Sequence, residues 1–253
     1  MSVRIVGIDL AAQAPKTGLC VLAEDGGRVR AERLTLGADD PTLLEATRGA
    51  AKIGMDAPLG WPDDFLEFLE AQRTGDAGSL CRFQGKAGMD RLSFRETDRD
   101  IHARLRKLPL SVSADKIARV AMRAAVLQTA WADELGPSPR DGSAALVEVY
   151  PAAALITWFP AGASYKHPEA GRQRRAELVA SIRAAAPWLE LSSQQADLAV
   201  AHDDALDALV SALVAWAAHL GSTQGPPTEH VERARREGWI HVPAVGLEEL
   251  APR

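Results

Sequence analysis

The run Val3-Arg4-Ile5-Val6-Gly7-Ile8-Asp9-Leu10 decides how the rest of the chain is interpreted. Its aliphatic and β-branched residues predict a buried central strand, with Asp9 at the carboxyl end. A carboxylate in such a run is costly to bury unless a cation compensates for the lost hydration. We therefore take Asp9 as the first candidate residue of a metal site. The alternative is that Asp9 caps the turn through residues 11–16, because Asp is a favoured turn residue.

The composition limits the classes of protein to which the chain can belong. The 253 residues are 47% hydrophobic and carry a formal net charge of -5, which suits one large domain or two small ones with a sizeable core. The acidic balance argues against non-specific binding to nucleic acid, which relies on clustered Lys and Arg. Cys20 and Cys81 form no ligand pair, so we expect a reducing cytoplasm. No apolar run reaches the roughly 18 residues of a membrane span, so we expect no membrane partner.

The pattern of the first strand recurs later in the chain. Residues 3–10, 17–23 and 28–36 predict a meander of three antiparallel strands. Residues 51–56 predict a fourth strand that again ends in a carboxylate, Asp56, and residues 144–149 predict a fifth that carries Glu148. Three predicted strands therefore carry an acid.

Helical patterns fill most of the remaining chain. Residues 113–135 predict a long amphipathic helix with Ser113 as its N-cap, and the glycine-rich residues 74–88 predict a loop. Further helices are predicted at residues 41–49, 63–73, 152–159, 173–185, about 201–219 and 229–236, with a turn-rich linker at 222–228 and a short last strand at 238–243.

The segment Arg91–Lys107 is the most basic part of this acidic chain, with six Lys or Arg against three Asp or Glu. One interpretation is a solvated helix face, which is the usual role of such a charge run. The other is a wall that holds a polyphosphate beside a carboxylate site. Lys166, in a predicted loop, is a further candidate, because ammonium groups bind phosphate as point charges.

Two carboxylates are predicted to share one helix face. Asp204 and Asp207 are three residues apart, which places their Cβ atoms about 5 to 6 Å from each other on a helix. Asp203 and Asp204 also fit an ordinary role, since acids in the first turn complement the helix dipole. Asp207 lies a turn further in, among Leu and Ala, where an unpaired carboxylate needs a cation.

Together these acids predict a metal site. Hard oxygen ligands from separate elements, without a Cys or His cluster, suit Mg²⁺ or Mn²⁺ rather than zinc. Two such ions about 4 Å apart can activate water and stabilise a leaving oxygen at phosphorus. The chemistry that this pattern indicates is phosphodiester hydrolysis.

Several motifs carry a resemblance to known proteins. The order of three antiparallel strands, helix, Asp-ended strand and acidic C-terminal helix resembles the ribonuclease H-like fold, and Asp204-Ala205-Leu206-Asp207 resembles the Asp-x-x-Asp helix of RuvC-type Holliday-junction resolvases. More closely, the chain resembles a large uncharacterised family described as predicted ribonuclease H-like nucleases. The motifs that carry this resemblance are Gly7-Ile8-Asp9, Met55-Asp56-Ala57-Pro58-Leu59-Gly60, Arg95-Glu96-Thr97-Asp98, Glu148-Val149-Tyr150-Pro151, Tyr165-Lys166 and Asp203-Asp204-Ala205-Leu206-Asp207-Ala208.

The resemblance implies roles for particular residues. Asp9, Asp56 and Asp207 would hold Mg²⁺ or Mn²⁺, with Asp204 and Glu148 as further ligands or as a base that orients water. The substrate side would be lined by Arg95, Asp98, Arg104, Tyr165 and Lys166. The resolvases typically have Glu where this chain has Asp56, and the shorter side chain withdraws its oxygens by about 1.5 Å. The sequence therefore leaves open whether one or two ions bind.

These observations predict a single ribonuclease H-like α/β domain over residues 1–253. We expect a mixed five-stranded sheet, an antiparallel meander plus parallel strands, flanked by helices, with a helical insertion at about residues 61–140 and a short extension at about 222–253. The predicted function is a divalent-metal-dependent nuclease or phosphodiesterase with a nucleic acid as substrate. The sequence does not choose between DNA, RNA and a small nucleotide, and it leaves the oligomeric state open, a homodimer included.

Two other functions compete with this one. A nucleotide-binding phosphotransferase related to the actin-like ATPases would share the opening strand and its Asp, but residues 11–18 contain one glycine and no second Gly-Gly phosphate loop follows residue 140. A non-catalytic binding module would keep the fold with a vestigial acidic site. The clustered acids argue against it, because their mutual repulsion destabilises a fold that binds no metal.

Overall fold

The computed structural model describes residues 2–136, 138–159, 164–167 and 171–252. The strands in these ranges are β1 (Val3–Asp9), β2 (Gly18–Asp25), β3 (Arg28–Leu36), β4 (Lys52–Asp56), β5 (Leu146–Val149), β6 (Leu189–Glu190), β7 (Thr223–Gln224) and β8 (Ile240–Pro243). The α-helices are α1 (Asp40–Thr47), α2 (Asp63–Thr74), α3 (Ala77–Cys81), α4 (Gly85–Ser93), α5 (Glu96–Leu105), α6 (Ala118–Leu135), α7 (Pro151–Trp158), α8 (Gly171–Ala185), α9 (Ser193–Ala201), α10 (Asp203–His219) and α11 (Val231–Glu237). Short 3₁₀ helices cover Ala14–Lys16, Thr228–His230 and Leu247–Leu250.

The sheet is mixed and has the order β6-β3-β2-β1-β4-β5-β8-β7. The predicted antiparallel meander is confirmed, since β2 is antiparallel to both β1 and β3. Strands β4, β5 and β8 continue from β1 in parallel. The expected number of five strands is wrong, because the described part of the chain contains eight. Two of the additional strands, β6 and β7, have two residues each, which is too short for an alternating pattern to predict them.

Alternation along the strands divides the core between the two faces of the sheet. On β1, Ile5 packs into one apolar cluster and Val6 and Ile8 into the other, as the period of two along a strand requires. One face is covered by α10 with α7, α8 and α9, and the other by α1 and α6. The chain is therefore an α/β protein whose sheet is flanked by helices on both faces.

Glycines let α10 lie directly on the central strands. A Cβ on Gly7 of β1 would come 2.1 Å from the backbone nitrogen of Ala212, and one on Gly54 of β4 would come 2.4 Å from the carbonyl oxygen of Ser211. No side chain fits in such a space. The missing Cβ atoms therefore fix how close the helix approaches the sheet.

The helical segment between β4 and β5 differs from the prediction in two places. The expected loop over residues 74–88 contains α3 and the start of α4. The long helix begins at Ala118 and not at Ser113, because Ser111 caps a separate turn: its hydroxyl accepts a hydrogen bond from the Ala114 amide at 3.0 Å, and its amide donates to Asp115 at 2.8 Å. Glycine content and a nearby Ser were misleading signals here.

Residues 222–252 contribute to the sheet and its packing. The predicted last strand is confirmed as β8, which pairs with β5, and α11 contacts α5 and α2. Trp239, before β8, is almost fully buried. Among the described residues, no helix is both long and apolar enough to cross a membrane.

Candidate functional site

Two of the predicted carboxylates lie side by side because their strands are adjacent and in register. Strands β1 and β4 are parallel, and Asp9 pairs with Asp56 at their carboxyl ends. The two carboxyl groups are close enough for Asp9 to affect the pKa of Asp56. The repeated pattern of an apolar run ending in Asp therefore produces one acidic edge of the sheet.

Asp207 reaches the same edge from α10. The helix rests on the glycines of β1 and β4, and Asp207 is fully buried. One carboxylate oxygen from each of Asp9, Asp56 and Asp207 lies within 4.8 Å of the others. The structure thus brings together the three acids to which the sequence assigned the metal.

Asp9 does not take the alternative role of capping the turn after β1. In the described part of the chain, that turn is closed by Thr17, whose hydroxyl accepts a hydrogen bond from the Ala11 amide at 3.3 Å. Arg123 of α6 donates to the same hydroxyl at 2.7 Å and to the Ala11 carbonyl oxygen at 2.8 Å. The carboxyl group of Asp9 is therefore directed to the acidic cluster.

The loop residues Tyr165 and Lys166 contact the cluster through Asp207. The phenol of Tyr165 donates a hydrogen bond to Asp207 Oδ1 at 2.7 Å. Lys166 Nζ lies 2.5 Å from Asp207 Oδ2, and about half of the lysine side chain stays exposed. The predicted loop cation is thus at the site, with its ammonium group against the most buried acid.

Burial raises the pKa of every acid in the cluster, and repulsion from neighbouring acids adds to the increase. Burial is the largest cause for Asp56, whose pKa rises from 3.8 to about 7 although Lys166 opposes the shift. Burial, then Asp207 and Asp56, raise the pKa of Asp9 well above its usual value, and burial raises that of Asp207. The neighbouring acids raise the pKa of the Lys166 ammonium, against the effect of burial. One ammonium group therefore does not fully stabilise three carboxylates.

Asp204 lies at the rim of this cluster. It belongs to the first turn of α10 and is partly buried. Burial, Asp203 and Asp207 raise its pKa, so it is near enough to interact with the site. Its oxygens are not among those that converge with Asp9 and Asp56.

Glu148 is held by a buried arginine and is not free to bind a metal. Arg95 donates to its two oxygens at 2.8 and 2.7 Å, and the Leu59 amide donates to it at 3.0 Å. Arg95 also pairs with Asp98 at 3.0 and 3.2 Å and donates to the carbonyl oxygen of Glu237 at 3.2 Å. All three charged side chains are buried. These ion pairs join α5, β5 and α11, and Arg95 and Glu148 also line the cavity beside the acidic cluster. The substrate role of Arg95 and Asp98 and the catalytic role of Glu148 stay predictions.

Three further arginines of the basic segment are also paired with acids. Arg104 binds Asp100 at 2.5 Å and Gln224, and it does not line the cavity beside the site. Arg91 pairs with Asp64 at 2.6 Å, and Arg99 with Glu96 at 2.9 Å. The predicted basic wall is therefore largely neutralised, and the interpretation as a charged helix surface fits Arg104 better than a substrate contact does.

A cavity of about 460 Å³ adjoins the acidic cluster at Asp56, Tyr165 and Lys166. Tyr150 also lines it, and within the described residues its hydroxyl has no hydrogen-bond partner. Burial, followed by the charge of Asp56, raises the pKa of this phenol to about 12. Tyr150 is the functional candidate to which the sequence analysis assigned no role. Its position just after β5, at the same sheet edge as Asp9 and Asp56, is the signal that could have identified it.

The chemistry of the cluster fits a divalent cation. The converging atoms are carboxylate oxygens, the ligands that Mg²⁺ and Mn²⁺ prefer. A group of three acids that is largely shielded from solvent is unfavourable without compensating charge, and the raised pKa values express this cost. Asp9, Asp56 and Asp207 are the residues that would hold the ion.

The comparisons with known proteins identify a family without an assigned activity. Residues 7–232 match a family described as a protein of unknown function, DUF429, and the chain belongs to that family. The match runs from β1 into α11 and includes Asp9, Asp56 and Asp207. No curated protein and no solved structure matches the chain significantly.

Proposed function

We propose that this protein is a divalent-metal-dependent phosphodiesterase that hydrolyses nucleic acid. The observation that carries the proposal is the convergence of Asp9, Asp56 and Asp207 oxygens within 4.8 Å. Carboxylates brought together from two strand ends and a helix have a high electrostatic cost, which a bound cation offsets. When Mg²⁺ or Mn²⁺ is bound, it supplies an activated water and charge stabilisation at phosphorus.

The arrangement of elements supports a ribonuclease H-like core. Three antiparallel strands are followed by α1, by a strand that ends in Asp56, and later by an acidic helix that lies on the sheet. This is the order on which the resemblance to ribonuclease H-like nucleases rests.

Tyr165 and Lys166 give the site two further chemical functions. Tyr165 donates to Asp207 Oδ1 and so fixes the orientation of that carboxylate. Lys166 is half exposed at the cavity, where its ammonium can bind a non-bridging phosphate oxygen and stabilise the negative charge that develops there. Asp204, at the rim, can accept a hydrogen bond from a water that approaches the phosphate.

The experiment that tests the proposal is a hydrolysis assay. The purified protein is incubated with bis(p-nitrophenyl) phosphate and with labelled oligonucleotides in Mg²⁺, in Mn²⁺ and in EDTA. We expect hydrolysis with either metal and none in EDTA. Asp56→Asn should lower the rate by at least about a hundredfold, because it removes a ligand of the metal that activates water.

Asp25→Asn is the matched control. Asp25 also ends a strand, β2, but it is exposed and far from the cluster along the strand, so this variant should keep the wild-type rate. Equal rates for Asp56→Asn and the wild type, or hydrolysis that persists in EDTA, would contradict the proposal.

A further inference from the structure

We propose that the cavity lined by Asp56, Tyr150 and Lys166 binds one nucleotide unit. Its base, separated from any neighbouring base, would lie among the apolar residues. Its phosphate would lie beside Lys166 and the cation held near Asp56. The substrate is then a free nucleotide or a flexible single strand, and not a duplex. This inference rests on the proposed phosphodiesterase function, because it names the substrate of the same site.

The size and the walls of the cavity fit a nucleobase. Its volume of about 460 Å³ falls within the roughly 300–1,000 Å³ of typical small-ligand sites. Pro109, Leu110 and Ile117 line it together with the ring of Tyr150. Apolar and aromatic surfaces of this kind bind the faces of bases, whatever the sequence.

The polar groups of the cavity fit the other parts of a nucleotide. Asp56 and Lys166 connect the cavity to the acidic cluster, which is where a phosphate held by a cation would lie. The Tyr150 hydroxyl, unpaired among the described residues, is available to a base edge or a sugar hydroxyl. Lys107, an exposed cation, also lines the cavity and can bind a second phosphate.

The charge distribution argues against a duplex. Arg91, Arg99 and Arg104 are each paired with an acid of the same region, and Arg95 is buried in its own ion pairs. Within the basic segment, Lys107 is the exposed cation that lines the cavity. Arg106 and Lys107 are further exposed cations of the segment. A duplex needs a longer row of cations along its phosphates than these two provide.

The experiment compares two ligands that differ only by the base. Adenosine 5′-monophosphate and ribose 5-phosphate are titrated calorimetrically into the protein in the presence of Mn²⁺. We expect the nucleotide to bind at least about tenfold more tightly, since base stacking alone accounts for such a difference. Equal affinities, or no binding of the nucleotide, would overturn the inference.

Two pairs of variants locate the base. Leu110→Asn should weaken nucleotide binding severalfold without affecting ribose 5-phosphate, whereas Leu108→Asn should change neither, because Leu108 is similarly exposed but does not line the cavity. Tyr150→Ala should weaken nucleotide binding about tenfold, and Tyr150→Phe should retain most of it because the ring remains. The same loss in Leu110→Asn and Leu108→Asn would contradict a base in the cavity.

Competition distinguishes the sources of the nucleotide unit. A ten-nucleotide single strand that displaces adenosine 5′-monophosphate identifies a strand as ligand, and failure to displace it identifies a free nucleotide. Displacement by the same sequence as a blunt duplex, with equal strength, would overturn the inference. These binding results do not depend on hydrolysis. Base-dependent binding without metal-dependent hydrolysis would support this inference and contradict the proposed function. Metal-dependent hydrolysis without base-dependent binding would support the proposed function and contradict this inference.

Discussion

Asp207 is fully buried on α10, and its oxygens contact a phenol and an ammonium group. Asp9 and Asp56 lie close to it at the ends of β1 and β4. Among the described residues, the cluster contains three acids and one closely paired cation. When all three carboxyl groups are ionised, this partly buried cluster therefore carries excess negative charge. At the scale of single residues, the stability of the protein and its affinity for a cation are therefore linked.

Asp9→Asn should separate these two effects. In metal-free solution the variant should melt at a higher temperature than the wild type, because the substitution removes one of the repelling carboxylates. A saturating ligand at about 100 times its Kd adds about 2.7 kcal/mol, which corresponds to an increase in Tm of roughly 5–10 °C for a chain of this size. We expect Mn²⁺ to produce that increase in the wild type and not in Asp9→Asn.

Calorimetric melting with and without Mn²⁺ checks this expectation, with Asp25→Asn as an exposed control that keeps the wild-type increase. The same Mn²⁺ effect in Asp9→Asn and the wild type would show that Asp9 does not hold the ion. Absence of an effect in both would favour the non-catalytic binding module.

The pKa of Asp56 predicts how the site depends on pH. In the folded protein this pKa is about 7, against 3.8 for an ordinary Asp, so the folded state binds the proton more strongly than the unfolded state does. The resulting stability is complete below about pH 4 and is lost as the pH rises to about 7. Because a cation competes with that proton, Mn²⁺ affinity should rise at least about tenfold between pH 5.5 and 8. Titration calorimetry at the two values measures this, and a pH-independent affinity would contradict it.

At the scale of elements, the contact between α10 and the sheet determines where Asp207 lies. Gly7→Ala should destabilise the protein by about 3 kcal/mol, because the new Cβ would be 2.1 Å from the Ala212 backbone nitrogen and would displace the helix. Denaturant unfolding measures this change. Gly225→Ala is the matched control, since its Cβ would have its nearest neighbour at 3.6 Å, and it should change the free energy of unfolding by less than about 0.5 kcal/mol. Similar values for the two variants would contradict the close approach of α10.

The elements that the sequence predicts correctly have strong local signals. The apolar runs that end in Asp9 and Asp56 and the helix that carries Asp207 combine a clear period with an acid in an unusual place. The helices in residues 74–93 lack such a signal, because Gly75, Gly78, Gly85 and Gly88 favour a loop by composition. Ser113 is a good N-cap residue by type, but a separate turn at Ser111 precedes the helix, which begins at Ala118.

The ion pairs near the site are missed for a different reason. The sequence shows Glu148 among apolar neighbours and Arg95 in a basic segment, but it does not show that these two residues, 53 positions apart, are bonded to each other. Such a pair depends on how α5 packs against β5, which is a tertiary property. The contact of Arg104 with Gln224 of β7 is also tertiary, whereas Asp100 lies one turn before Arg104 on α5. A sequence shows which residues carry a charge, but it does not show which charged residues pair when they lie on different elements.

At the scale of the whole molecule, the net charge of -5 and the paired arginines limit how the protein binds a polyanion. Lys107 and Lys166 are exposed cations that line the cavity, whereas Arg95 is buried there in its ion pairs. About two phosphates of a single strand are therefore contacted. The logarithm of the binding constant should then fall with the logarithm of salt concentration with a slope of about -1.4. Fluorescence anisotropy of a labelled ten-nucleotide strand measures the slope between about 50 and 300 mM NaCl, a range in which phosphate contacts change affinity strongly. A value of about -4 or steeper would indicate an extended phosphate track and contradict this picture.

The proposed hydrolysis depends on a divalent cation held by Asp9, Asp56 and Asp207. Calorimetric titration of Mn²⁺ into the wild type, Asp207→Asn and Asp203→Asn measures this directly. We expect one or two ions to bind the wild type with a Kd between about 1 µM and 1 mM, Asp203→Asn to behave in the same way, and Asp207→Asn to lose the binding. Absence of binding to the wild type, or unchanged binding to Asp207→Asn, would contradict a shared carboxylate site.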